Sequence, residues 1–146
     1  MNFNNKNVLV TGASRGIGKA TAMAFTKKGA KVGINYRSND EVAHQTLSEL
    51  PGEGHQLFKR DISQKSETEA LITDFVKAYG QLDVLVNNAG ISIFHEIDEV
   101  DFDHWTNAWE KTFETNLFAV ANLCYWGAKA MMGTGGGHIV NVSSRG

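Results

Sequence analysis

Cysteine is almost missing from this chain: one residue, Cys124, in 146 leaves no partner for an internal disulfide. It falls among Leu123, Tyr125 and Trp126 in a helical pattern with no histidine nearby, so it reads as a buried structural thiol rather than a nucleophile. Charge of one sign is also lacking. The 14 basic and 16 acidic residues are interspersed, without a basic block or stripe, which argues against nucleic acid or an anionic membrane as a partner. No apolar run approaches the ~20 residues of a membrane-spanning helix. The start, MNFNNKNVLV, carries one lysine before a short apolar run that passes into a glycine turn, unlike a secretory signal. These absences lead to a cytoplasmic protein with a small, soluble partner. Repeats, low-complexity tracts and interdomain linkers are absent as well, so residues 1–146 read as one domain.

What is present is an alternation of strand-like and helix-like apolar patterns, which implies a parallel sheet covered by helices. Val8 to Val10 is a short apolar run suited to a strand buried on both faces. From Arg15 to Lys28 a helix is expected with Ile17, Ala20, Ala24 and Phe25 on its packing face and Gly29 at its end. A second strand is expected over Val32 to Tyr36, then a helix opened by a Ser38/Glu41 capping box and closed by the Pro51-Gly52 turn. His55 to Arg60 is more polar and suits an edge strand; Ser66 and Glu69 open a further helix that Gly80 closes. Leu82 to Val86 is a fourth strand and His138 to Val142 a fifth, separated by a connection over 91–101 and a long helix from Phe102 to Met132, bent near Asn116. The expected fold is α/β, a doubly wound, Rossmann-like parallel sheet of order 3-2-1-4-5. Its switch point falls between the first and fourth strands, where a ligand belongs.

Gly12, Gly16 and Gly18 follow the first strand and open the first helix, so backbone N–H groups and the positive helix end converge on one spot. Gly12 allows the tight turn, Gly16 lets a pyrophosphate approach the backbone, and Gly18 lets helix and strand pack closely. The end of the second strand reads Tyr36-Arg37-Ser38, without the carboxylate that holds a free ribose 2′-hydroxyl. A guanidinium fits a 2′-phosphate, so Arg37, helped by Arg15, favours NADP over NAD. No metal site is expected.

The segments TGASRGIG at 11–18, NNAG at 87–90, ETNL around Asn116 and IVNVSS ending in Ser144 resemble the short-chain dehydrogenase/reductase family, particularly its 3-oxoacyl-carrier-protein reductases. The resemblance implies that Gly12, Ser14, Arg15, Gly16, Ile17, Gly18, Arg37, Asp61, Ile62, Asn88, Ala89 and Gly90 hold the cofactor. Asp61 and Ile62 would contact the adenine. It also implies that a helix interrupted at Asn116 frees a carbonyl for a proton-relay water, and that Ser144 orients a substrate carbonyl. In that family a Tyr-x-x-x-Lys follows such a serine; none follows Ser144 here, so the sequence corresponds to an N-terminal part, the fold truncated on its C-terminal side. Tyr125 and Lys129 have the spacing but precede Ser144. Tyr125 lies nine residues past Asn116, about 13 Å along a helix, which takes it away from the site. The implied function is oxidoreduction of a small carbonyl or alcohol by a homo-oligomer, with Tyr125 and Trp126 on an outward apolar face. The alternative is a non-catalytic nucleotide-binding or interaction module.

Overall fold

A computed structural model describes residues 2–144. Five parallel strands form one sheet in the order β3-β2-β1-β4-β5: β1 Asn7–Val10, β2 Lys31–Tyr36, β3 Gln56–Lys59, β4 Val84–Asn87 and β5 His138–Asn141. Five helices alternate with them: α1 Gly16–Thr26, α2 Asp40–Glu49, α3 Lys65–Tyr79, α4 Phe102–Phe113 and α5 Ala119–Met132. The sheet is wound on both sides, and the strand side chains show why. In β1, Val8 and Val10 join a cluster with Ala22 of α1 and Leu50 just past α2, while Leu9 joins Leu71 and Phe75 of α3 and Leu123 of α5. In β4, Val84 and Val86 repeat the first assignment and Leu85 the second. Alternation every second residue thus builds two cores, one on each face. Phe75, fully buried, covers Gly33 of β2, where an added Cβ would come within 2.7 Å of its ring.

The strand order and the edge position of β3 are as expected. Several local expectations are corrected. On α1 the buried residues are Gly18, Ala22 and Thr26, with Phe25 half-buried, while Ile17, Ala20 and Ala24 are exposed. The helix rolls because its closest approach to the sheet is at Gly18, and residues four apart follow that side. The N-cap of α2 is Asn39, whose Oδ1 accepts from Val42 N at 3.0 Å, and not Ser38. Helix α3 begins at Lys65, ahead of Ser66, because Asp61 has already turned the chain by accepting from the N–H and hydroxyl of Ser63. Strand β4 begins two residues after Leu82. Asp83 interrupts the apolar run, and its carboxylate accepts from Lys6 Nζ at 2.8 Å and Asn7 N at 2.9 Å.

Helix α5 lies antiparallel to the strands: Cys124 meets Asn87, Gly127 meets Leu85, and Met131 meets Gly137 at the far end. The bend expected near Asn116 is a π-helical turn, Glu114–Phe118, between α4 and α5. No helix among the described residues is long and apolar enough to cross a membrane.

Candidate dinucleotide site at the switch point

Because every strand is parallel, the ends of β1, β2 and β4 open on the same edge of the sheet. The chain diverges between β1 and β4, and a cleft of about 530 Å³ occupies that edge. Ten of the candidate residues line it: Gly12, Ser14, Arg15, Gly16, Arg37, Asp61, Ile62, Asn88, Ala89 and Gly90. Ile17 and Gly18 do not; Ile17 is exposed and Gly18 is packed beneath the turn. Asn116 and Ser144 also lie off the cleft lining, although Thr115 belongs to it.

The turn has the geometry of an anion cradle. Gly12 and Gly16 adopt φ of 61° and 57°, in the left-handed region that favours glycine. At Gly16 an added Cβ would meet nothing within 4 Å, so space for a ligand lies directly over the backbone. At Gly18 an added Cβ would fall 2.5 Å from the Gly12 carbonyl oxygen. The start of α1 has no side-chain cap and no acidic residue in its first turn. Its N–H groups and positive dipole end are therefore left for an outside acceptor.

Buried polar side chains hold the cradle, and the sequence reading passed over them. Thr11 Oγ1 donates to the Val86 carbonyl and accepts from the N–H groups of Asn88 and Ala89 at 3.0 and 3.1 Å, tying β1 to the segment after β4. Asn35 accepts from Gly12 N and donates to the carbonyls of Phe58 and Arg60. Thr46 of α2 donates to the Ser14 carbonyl at 2.6 Å. The Asn88 amide spends its N–H groups on the carbonyls of Thr11 and Gly12, at 3.0 and 3.3 Å, so it braces the turn as well as lining the cleft.

Among the described residues three arginines line the cleft, and their surroundings differ. Arg60 is held by Glu67 at 3.0 Å and Asp74 at 2.7 Å, which neutralise it. Arg15 and Arg37 are exposed and make no ion pair among the described residues. The single carboxylate in the lining, Asp61, is occupied by Ser63. At the end of β2 the Tyr36 hydroxyl donates to Asp40 at 2.7 Å, and Lys59 pairs with the other oxygen of that carboxylate. Hydrogen bonds from Lys59 and then Tyr36 hold the Asp40 carboxyl below its usual range. Among the described residues, Arg15 and Arg37 are thus the cleft arginines left without an ionic partner.

Asn116 is exposed and makes a two-point bond to Ile91: Oδ1 accepts from its N–H at 2.9 Å and Nδ2 donates to its carbonyl at 2.8 Å. The π-helical turn breaks the regular carbonyl ladder at this residue. Ser144 follows β5, whose end is tied to β4 by Asn87 Nδ2 donating to Asn141 Oδ1 at 2.8 Å and by Val142 N donating to the Asn87 carbonyl. Cys124 is half-buried rather than buried, since its thiol faces this polar strand end instead of the core and accepts from Asn87 Nδ2 at 3.5 Å. Tyr125 is exposed on α5, edge-on to Trp126 with Lys129 Nζ 5.4 Å above its ring; Trp126 is partly buried against the core, so the expected outward face is Tyr125 with Lys129. A larger apolar row missed from the sequence runs along α4, where the rings of Phe102, Trp105, Trp109 and Phe113 follow one another with centroids 6.1, 5.9 and 5.5 Å apart, the first pair stacked and the others tilted.

The chain matches the short chain dehydrogenase family over residues 6–146. It is 35% identical over 141 residues to the 3-oxoacyl-[acyl-carrier-protein] reductase of Staphylococcus aureus (strain Mu50), covering 95% of this chain and 56% of that protein. To the L-rhamnose 1-dehydrogenase (NAD(P)(+)) of Sphingomonas sp. (strain SKA58) it is 37% identical over 142 residues, covering 95% and 54%. A crystal structure of a short chain dehydrogenase from Burkholderia cenocepacia J2315 in complex with NADP superposes with a TM-score of 0.85 at 29% identity, covering 99% of this chain and 57% of the other. The chain thus spans about half the length of these relatives. It belongs to the short-chain dehydrogenase family.

Proposed function

We propose that this chain carries the cofactor-binding half of an NADP-dependent oxidoreductase that interconverts a carbonyl and an alcohol. The observation that carries the cofactor choice is the contrast among the three cleft arginines: Arg60 is neutralised by Glu67 and Asp74, whereas Arg15 and Arg37 have no ionic partner among the described residues. Two guanidinium groups without counter-ions beside a turn of free N–H groups suit a ligand that brings its own phosphates. The open space over Gly16 fits a pyrophosphate. Bound NADPH would supply the hydride.

The remaining roles belong to the chain. Gly12 to Gly16 hold the paired phosphates, Arg37 and Arg15 the 2′-phosphate, and Asp61 and Ile62 border the adenine. Ala89 and Gly90 form the wall beyond β4. Ser144 donates its hydroxyl to a substrate carbonyl, and the turn at Asn116 supplies a carbonyl for a water in the proton path. The bond of Asn116 to Ile91 keeps the 91–101 connection beside that turn. The apolar row on α4 supports a homo-oligomeric assembly. A nucleotide-binding module without turnover is the second reading. It is favoured by Tyr125, whose ring packs on α5 against Trp126 and Lys129 instead of beside Ser144.

Fluorescence titration of the chain with NADPH and NADH tests the proposal. Wild type should prefer NADPH by roughly tenfold or more, the worth of a charge-assisted bidentate contact. Arg37→Asp should reverse the order. Tighter binding of NADH by wild type would refute the Arg37 assignment, and carbonyl-dependent NADPH oxidation by the chain would remove the second reading.

A further inference from the structure

Helix α2 is lightly anchored: of its ten residues only Ala43 and Thr46 are buried. Thr46 is 1% exposed, and its Oγ1 lies 2.6 Å from the carbonyl of Ser14, a residue 32 positions earlier in the turn that lines the cleft. Among the described residues this is the only side-chain hydrogen bond from α2 to that turn. Thr46 itself does not line the cleft.

The Ser14 carbonyl and the Arg15 N–H belong to one trans peptide unit and point in opposite directions. Holding the carbonyl on the α2 side therefore holds the N–H on the other side. If this peptide turned over, a carbonyl oxygen would face the place where a phosphate sits, and the cradle would lose a donor and gain a repulsive dipole.

We propose that Thr46 is a positioning residue for the phosphate turn, its hydroxyl fixing the Ser14–Arg15 peptide so that the Arg15 N–H is available to an anion. This rests on the dinucleotide reading given above. Valine copies the shape of threonine without the donor, so Thr46→Val leaves α2 in place and releases the peptide. Thr46 acts at the phosphates, which NADH and NADPH share, while Arg37 acts at the ribose end, which distinguishes them.

The test is equilibrium titration of the full chain with NADPH and with NADH, well below the unfolding temperature. Thr46→Val should weaken both coenzymes by the same factor, about five- to tenfold for one lost orienting hydrogen bond, with their affinity ratio unchanged. Thr46→Ser keeps the hydroxyl and should bind both within about twofold of wild type. A merely structural role would lower the unfolding temperature of the variants without this common loss of affinity in the folded state. If Thr46→Val does not fold, Thr46→Ser against Thr46→Ala makes the same comparison, since only serine retains the donor. Wild type that binds while Thr46→Val binds equally well, or a change in the NADPH/NADH ratio, overturns the assignment of Thr46. Wild type that binds neither coenzyme overturns the dinucleotide reading itself.

Discussion

Replacing Gly18 by alanine puts the closest backbone contact in the site under direct test. The added Cβ would stand 2.5 Å from the Gly12 carbonyl oxygen, 2.6 Å from Asn88 Nδ2 and 2.8 Å from Ala13 Cα. Two of these atoms are backbone and cannot rotate aside, so α1 must move off the sheet or the turn must open. Overpacking of this kind costs about 1–3 kcal/mol. Displacing the Asn88 amide from the Thr11 and Gly12 carbonyls adds about 1 kcal/mol for each bond lost. Alanine returns at most about 1 kcal/mol through its better helix propensity. The net loss should be about 2–4 kcal/mol, a drop in urea midpoint on the order of 1–2 M, followed by tryptophan fluorescence. Gly16→Ala is the control. Its Cβ meets nothing within 4 Å, so the remaining penalty is the positive φ, about 1–2 kcal/mol. It should fold better than Gly18→Ala yet bind NADPH less well than its stability suggests, because its methyl would enter the space proposed for the phosphates. A Gly18→Ala protein within about 0.5 kcal/mol of wild type, inside the range of an inert surface change, would refute the close packing.

Acid should act through Asp83. Burial raises its carboxyl pKa, but the bonds from Lys6, Asn7 and Gln81 outweigh this and leave it below the usual value. Its contribution is therefore present above the unfolded carboxylate pKa of about 3.9 and disappears as pH falls through the depressed folded value. The difference in urea midpoint between wild type and Asp83→Asn should be constant from neutral pH to about pH 5 and shrink below about pH 4; a difference that persists to pH 2 would contradict this. Asn116→Ala removes both bonds to Ile91 and should speed limited proteolysis within 91–101 while costing only about 1 kcal/mol in global stability, because the site is exposed. Unchanged cleavage would show that the connection is held by other contacts. Tyr79 donates to the Gly54 and Val32 carbonyls, and burial raises its pKa. Tyr79→Phe should cost about 1–2 kcal/mol by urea denaturation at neutral pH, and a neutral substitution would mean that solvent replaces both bonds.

Strand order was readable because Val8–Val10 and Val84–Val86 are buried on both faces, and near-continuous apolar runs have few other uses. The glycine turn was readable because Gly12 and Gly16 need positive φ and Gly18 needs the missing Cβ, demands that few other residues meet. The packing face of α1 was not. Ile17 is the most apolar residue of its first turn, yet it points outward because Gly18, with no side chain at all, makes the contact that orients the helix. The spacing of the small residues at 18, 22 and 26 held that signal. Helix starts failed for a related reason: Ser38 and Asn39 are both competent caps, and Asp61 turns the chain before Ser66 is reached. Thr46 gave no signal, because a threonine inside a helix is common and its partner at Ser14 is set by tertiary structure alone.

The residues that hold the site share a position that explains them. Thr11 follows β1, Asn35 is next to last in β2, and Asn87 ends β4; all three are nearly inaccessible. Within a parallel sheet every central N–H and carbonyl finds a neighbouring strand, but where the strands diverge those groups lose their partners while still covered by helices. A buried unpaired group costs about 1–3 kcal/mol, so a side chain that can both donate and accept is favoured at each such end. Thr11 bonds to three backbone groups of the β4 end, and Asn35 reaches the glycine turn, the Phe58 carbonyl within β3 and the Arg60 carbonyl just past it. Asn87 differs: it bonds to the side chain of Asn141 on β5 rather than to backbone, and its own Oδ1 is buried without a hydrogen-bond partner among the described residues. The same divergence opens the cleft, so the polar residues that satisfy the frayed sheet also set the walls around a ligand. Replacing Asn35 by leucine would therefore remove two functions at once. It would leave the Phe58 and Arg60 carbonyls without this donor, at about 1–3 kcal/mol each, and would free Gly12, so stability and NADPH affinity should fall together. A variant that lost stability but bound NADPH with wild-type affinity when folded would separate the two roles and refute the link between sheet end and cradle.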